Sequence, residues 1–279
     1  GLRSFGTHSQ PAGTWSDDTS MALCTASCIA DGFNINDLAS RFIRWYRQGY
    51  WSARGEVFDI GRTTAYAIGR LEEGIEADKA GGTALSDNGN GSLMRIAPMV
   101  LHVMHLPQPE RFRIIQQVSS LTHAHIRSVV ACIYLVEFLR LMNNNTFPEH
   151  AYELLARLLP HSLIEYGIPE AELRHFDNFF KHDIRTLAED QIQSSGYVIH
   201  TLEASVWCLL TSMSYQEAVL KAVNLGDDTD TTAAVTGALA GLFWHIDTIP
   251  DDWRLSIARH DDIMNLCTNL KIKLGKASP

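Results

Sequence analysis

The sequence predicts an all-α fold built as a single domain. Three observations carry that expectation: apolar residues recur every three or four positions, alternating strand-like runs are short and rare, and capping residues flank the periodic stretches. A length of 279 residues suits one extended core better than two large ones. With 46% apolar and 20% charged residues, the composition is that of a globular chain and not of a disordered one.

The first helix is expected over 21–30, where Ser16, Asp17 and Asp18 supply N-terminal capping chemistry and Gly32 the stop. Helical spacing then predicts elements over 37–47, 62–73, 94–104, 109–121, 126–142 and 149–158. The same period continues through 198–211, 215–223, 231–244 and 261–274. Three irregular segments rich in turn formers break the pattern, at 1–18, 81–92 and 194–197, and a site is expected there. Asn143-Asn144-Asn145 and residues 160–169 read as surface connections too short to separate domains.

A net charge of −9 gives no broad basic face for phosphate backbones, which excludes nucleic acid as a general partner. No apolar run approaches the ~18 residues of a membrane span, and no basic-then-apolar leader opens the chain. Cys24, Cys28, Cys132, Cys208 and Cys267 are odd in number, lie in apolar helical stretches and lack zinc spacing. They are expected to be buried core thiols in a protein of the reducing cytoplasm.

Two acidic groups stand at helix starts near opposite ends of the chain, Ser16-Asp17-Asp18-Thr19 and Asp227-Asp228-Thr229-Asp230-Thr231. Carboxylates favour the first turn of any helix, because they accept from free amides and complement the macrodipole. Clustered like charges repel one another, however, and hard divalent cations need such oxygen ligands, so a metal site between two helix N-termini stands beside the capping reading. A third group, Ser86-Asp87-Asn88-Gly89-Asn90-Gly91-Ser92, leads to Arg95. Its glycines let amides approach an anion, and the guanidinium of Arg95 adds a possible phosphate partner. It has neither a P-loop nor a Rossmann fingerprint, so an ordinary loop is the alternative.

Taken in order, these stretches resemble the ADP-ribosylglycohydrolase family. The resemblance is carried by Gly13-Thr14-Trp15-Ser16-Asp17-Asp18-Thr19, Phe58-Asp59-Ile60-Gly61 and Gly89-Asn90-Gly91-Ser92-Leu93-Met94-Arg95. It continues through Thr122-His123, Ser195-Gly196-Tyr197 with Leu202-Glu203-Ala204, and Gly226-Asp227-Asp228-Thr229-Asp230-Thr231, spanning about residues 6–241. It implies an all-helical fold that holds two divalent cations, Mg2+ or Mn2+, with Ser16, Asp17 and Asp18 on one side and Asp228, Asp230 and Thr231 on the other. Gly89, Asn90, Gly91 and Ser92 would lie against a diphosphate. Gly196 and Tyr197 would border the ADP-ribose pocket, and His123 is a further binding candidate. A lone histidine at a helix start is more often a structural hydrogen-bonding residue, a reading that also covers His125.

The family usually has glycine where this chain has Asp227, so that carboxylate either alters cation affinity or points outward. The family's usual additional N-terminal helix is not expected here, and a partner subunit in an oligomer could cover the gap. The implied reaction is metal-dependent hydrolysis of the glycosidic bond between ADP-ribose and a modified protein side chain or small adduct. Asp59 is the candidate for proton transfer, with helix capping before Arg62 as its alternative. The leaving group is open among an arginine guanidinium, taken as the first guess, a serine oxygen and an acyl ester. A noncatalytic ADP-ribose-binding protein is the competing class. An isoprenoid synthase-like protein is disfavoured because its DDxxD pattern is absent.

Overall fold

The computed structural model describes residues 4–277, so the first three residues of the irregular opening segment lie outside the described residues. Helices α1 (Asp17–Gly32) and α2 (Ile35–Gln48) form an antiparallel start. Asn34 caps α2 through its side-chain oxygen, which accepts from the amides of Asn36 and Asp37. α1 begins four residues earlier than expected, because Asp17 and Asp18 are its first turn and do not precede it. Ser16 is the N-cap by position, but its hydroxyl bonds Asp18 Oδ2 at 2.7 Å and caps no amide.

α3 (Arg62–Glu72) packs on α2. The helix expected over 94–104 is broken into tight turns over Leu93–Arg95 and Ala97–Met99, and only Val100–Val103, α4, is α-helical. Pro98 accounts for the break, since it has no amide proton and its ring crowds the carbonyl one turn earlier. α5 (Gln108–Ser120), α6 (Ile126–Asn143) and α7 (Pro148–Glu165) follow. The surface connection expected from residue 160 is helical as far as Glu165. The buried face of Ala151, Tyr152, Leu155, Leu159 and Leu163 holds α7 together across Pro160. Two short helices not expected from the sequence, α8 (Glu170–Leu173) and α9 (Asp177–Phe180), bring Phe176 and Phe179 into the core.

α10 (Val198–Leu210), α11 (Tyr215–Asn224) and α12 (Thr229–Trp244) pack as a layer, and α13 (Asp251–Ser256) and α14 (His260–Ala277) complete the chain. α6 is buried around most of its circumference and contacts α5, α7, α10 and α12, which makes it the central helix. Arg111 on α5 grips Glu137 on α6 through two buried bonds of 2.6 and 2.9 Å. Only isolated bridges occur among the described residues, Gly82 with His123 and Gly89 with Tyr197. They fix the glycine-rich segment to the starts of α6 and α10. Cys24, Cys28, Cys132 and Cys208 are buried free thiols, whereas Cys267 is exposed on α14, contrary to expectation. Among the described residues no helix is long and apolar enough to cross a membrane.

Candidate active site

Packing α1 against α12 sets two helix N-termini side by side. α1 contributes Asp17 and Asp18, both buried, and α12 contributes Asp228 as N-cap with Asp230 and Thr231 in its first turn. Asp228 Oδ2 accepts from Asn90 Nδ2 at 2.8 Å, and the same amide nitrogen lies 2.8 Å from Thr201 Oγ1. The glycine-rich segment is thereby tied to the acidic group. Asp227 is exposed and lies outside the cleft lining. Its φ of 51° is in the left-handed region that glycine favours, which explains a family preference for glycine here.

Asp59 does not cap α3, because Gly61 is the N-cap. Asp59 instead adopts a φ of 59° at the cleft edge, with Oδ2 3.1 Å from His8 Nε2. The chain thus holds a left-handed, non-glycine conformation to place this carboxyl.

The electrostatics show that the separate acidic groups share one field. Burial, then the neighbouring charges of Asp18, Asp59 and Asp230, holds the Asp17 carboxyl well above its ordinary range. Burial and the charge of Asp230 raise Asp18 likewise, while the hydroxyls of Ser16 and Thr231 oppose the rise. Asp59 and Asp228 are also pushed up, in both cases first by burial. Asp18 Oδ1 is buried without a hydrogen-bond partner.

An unsatisfied carboxylate oxygen amid repelling carboxylates fits a divalent cation. Among the described residues no three His, Cys, Asp or Glu side chains converge tightly enough to hold an ion by themselves. A fitting ligand set would therefore also draw on the hydroxyls of Ser16 and Thr231 and on water, as hard oxygen-seeking cations do.

The cleft above these groups has a volume of about 260 Å³. Asp17, Asp59, Gly89, Asn90, Gly91, His123, Gly196, Asp228 and Thr231, all candidates from the sequence, line it. Ile60, Arg62, Thr63, Thr64 and Met94 line it too, and sequence reasoning did not single them out. The hydroxyl pair Thr63-Thr64, one residue after Asp59-Ile60-Gly61 and in the first turn of α3, was the available signal.

Ser92, Tyr197 and Arg95 stand elsewhere. Ser92 is fully buried, its hydroxyl hydrogen-bonded to that of Ser119 at 2.9 Å. Tyr197 sits behind Gly196, its ring against His200 and its hydroxyl accepting from Arg127 at 3.3 Å. Arg95 is wholly buried and cannot meet a phosphate in the cleft. His125 is structural, its Nδ1 capping α6 by accepting from the Arg127 amide. A larger groove of about 800 Å³ near α14 is mostly apolar and contains no carboxylate, so it is not the chemical centre.

His123 is only 3% exposed, and burial with the charge of Arg95 lowers its pKa to about 3. The imidazole is neutral at physiological pH and abuts the glycines. A Cβ at Gly91 would lie 2.6 Å from its Cε1 and 2.9 Å from Thr64 Oγ1. Glycine at 91 therefore permits a close approach of backbone to imidazole.

Fold and cleft together define an all-α protein with an acidic centre bordered by a glycine-rich loop. The family model of the ADP-ribosylglycohydrolases matches residues 1–278, and the chain belongs to that family. It is 36% identical over 263 residues to an ADP-ribosylarginine hydrolase of Pseudomonas putida, covering 93% of this chain and 66% of that protein. It is 25% identical over 245 residues to the ADP-ribosyl-dinitrogen reductase glycohydrolase of Rhodospirillum rubrum, covering 86% of this chain and 72% of that protein. A solved structure of an ADP-ribosylglycohydrolase-related protein complex superimposes with a TM-score of 0.77 at 28% identity, covering 96% of this chain and 85% of that one. The chain spans about two thirds of the length of the Pseudomonas putida relative and of a Serratia proteamaculans protein of the same description.

Proposed function

We propose that this chain hydrolyses the N-glycosidic bond between ADP-ribose and an arginine side chain of a modified protein, in a cleft that holds two divalent cations, Mg2+ or Mn2+. The observation that carries the proposal is the convergence of Asp17 and Asp18 with Asp228 and Asp230, beside a glycine-rich loop built for close approach. Two relatives described as ADP-ribosylarginine hydrolases, at 36% and 35% identity, support arginine as the leaving group.

Cleavage at the anomeric carbon passes through an oxocarbenium-like state, which needs negative charge nearby, a positioned water and a proton for the leaving nitrogen. Bound cations would orient the ribose hydroxyls and lower the pKa of a coordinated water. Asp17, Asp18, Asp228 and Asp230 would hold them, with the hydroxyls of Ser16 and Thr231 completing the ligand set. Gly89, Asn90 and Gly91 present the backbone to the diphosphate, and His123 faces it as a neutral hydrogen-bonding group. Asp59, poised at the cleft edge with a raised pKa, keeps its proton to higher pH than an ordinary carboxyl. It would protonate the departing guanidine. The four buried thiols fit a reducing compartment, the cytoplasm.

The test is incubation with an arginine-ADP-ribosylated protein plus Mg2+ or Mn2+, then with chelator, following free ADP-ribose. Release that stops on chelation supports the proposal. Binding of ADP-ribose without release under either metal establishes a noncatalytic binder instead, and neither binding nor release overturns both readings.

A further inference from the structure

Arg95 is a buried charge with no carboxylate against it. It is 0% exposed, its guanidinium carbon lies 4.6 Å over the Phe42 ring, and Nε and Nη1 have no hydrogen-bond partner. Only Nη2 is engaged, donating to Val118 O at 3.1 Å and to Thr122 Oγ1 at 2.7 Å. Such an arrangement is costly for a purely structural residue, because a buried guanidinium is normally paired. Its one side-chain hydrogen bond leads to the cleft: Thr122 Oγ1 lies 2.9 Å from His123 Nδ1, and the far side of that imidazole abuts Gly89 and Gly91.

Counting protons along this chain fixes the tautomer. Arginine only donates, so Thr122 Oγ1 accepts from it. The threonine then has one proton to give, and among the described residues its hydroxyl makes no other hydrogen bond than those with Arg95 and His123. Were Nδ1 protonated, the buried hydroxyl would hold two inward-pointing donors and its own proton would be unpaired, at a cost of ~1–3 kcal/mol. With the hydroxyl donating to Nδ1, both Thr122 Oγ1 and His123 Nδ1 are satisfied and the imidazole proton resides on Nε2. The backbone holds the ring in that pose, since His123 O accepts from Ser119 Oγ at 2.8 Å and Ala124 N donates to Gly82 O at 2.9 Å.

We infer that Arg95, acting through Thr122, fixes His123 as the Nε2-protonated tautomer, so that an N–H is presented beside the glycine loop to an anionic oxygen of a bound diphosphate. Arg95 and Thr122 are positioning residues; His123 makes the contact. The inference rests on reading the cleft as an ADP-ribose site, but its structural half does not.

Two measurements test it. Nitrogen-15 NMR of the histidine-labelled full chain, with the His123 signals assigned by comparison with His123→Asn, should show a pyrrole-type Nε2 and a pyridine-type Nδ1 in the free protein. The opposite tautomer, or exchange between the two, overturns the inference. Calorimetry with ADP-ribose as the probe should show about tenfold weaker binding for Thr122→Val, the loss expected for one hydrogen bond to a charged group. Thr122→Ser, which keeps the hydroxyl, should bind within about twofold of wild type. The valine change should add no further loss to His123→Ala, because both act through one contact. A valine variant that loses thermal stability but keeps affinity, or a loss that adds fully to that of His123→Ala, assigns Thr122 a structural role and overturns the inference. If wild type binds no ADP-ribose, the functional reading of the cleft fails, while the NMR result still decides the tautomer.

Discussion

Asp18→Asn should stabilise the cation-free protein while abolishing its response to cations. Asp18 is buried, its Oδ1 has no partner, and the charge of Asp230 bears on it. An asparagine keeps an acceptor for the Ser16 hydroxyl, now 2.7 Å away, and turns a donor toward the carboxylates of α12. Removing one uncompensated buried charge is worth on the order of 1–3 kcal/mol, or roughly 2–10 °C in Tm for a chain of this size.

The pH dependence follows from the same shifts. A carboxyl whose folded pKa is raised above its unfolded value contributes stability below the unfolded value, and that contribution is lost as pH rises toward the folded one. The wild type without cations should therefore weaken between about pH 4 and about pH 9, and the variant should weaken less. Thermal melts at both pH extremes, with and without Mn2+, provide the assay. Wild type should rise in Tm with Mn2+, and the variant should start higher and move little. A variant that melts lower than wild type without cations, yet gains as much from Mn2+, would refute the reasoning.

Four further outcomes are expected. Asp59→Asn should lower hydrolysis by about 10²–10⁴-fold, the usual worth of a general acid, with ADP-ribose affinity retained in calorimetry. Gly91→Ala, whose Cβ would lie 2.6 Å from His123 Cε1, should cost ~1–3 kcal/mol in denaturant melts and weaken ADP-ribose binding. Gly89→Ala, with its nearest contact at 3.5 Å, should be milder. Glu137→Ala strands Arg111 between α5 and α6 and should cost ~3–5 kcal/mol of stability, read from urea unfolding.

The helical core was legible because its apolar period persists through long elements such as α6 and α12. Where the period competed with proline, sequence reasoning erred in both directions. Pro98 did break the helix expected across it, because the backbone there turns tightly, whereas the buried face of α7 carried that helix through Pro160. The short helices α8 and α9 escaped notice because single turns carry too little periodic signal.

In the site, carboxylates clustered at helix starts announced themselves by chemistry that capping alone explains poorly. Ser92 and Arg95 belong to the same recognisable motif, yet their side chains turn into the core, and no spacing rule reports which way a loop residue faces. Thr122 matters here through a hydrogen bond between residues brought together only by the packing of α5 beneath the glycine loop.

The central claim is that two distant aspartate groups grip a pair of cations. Electron paramagnetic resonance of bound Mn2+ tests it directly, on wild type and on Asp17→Asn and Asp228→Asn with helicity checked by circular dichroism. Two ions per chain in wild type, and a reduced count in both variants at unchanged helicity, is the predicted result. A wild type that binds no manganese, or variants that retain the full complement, would contradict it.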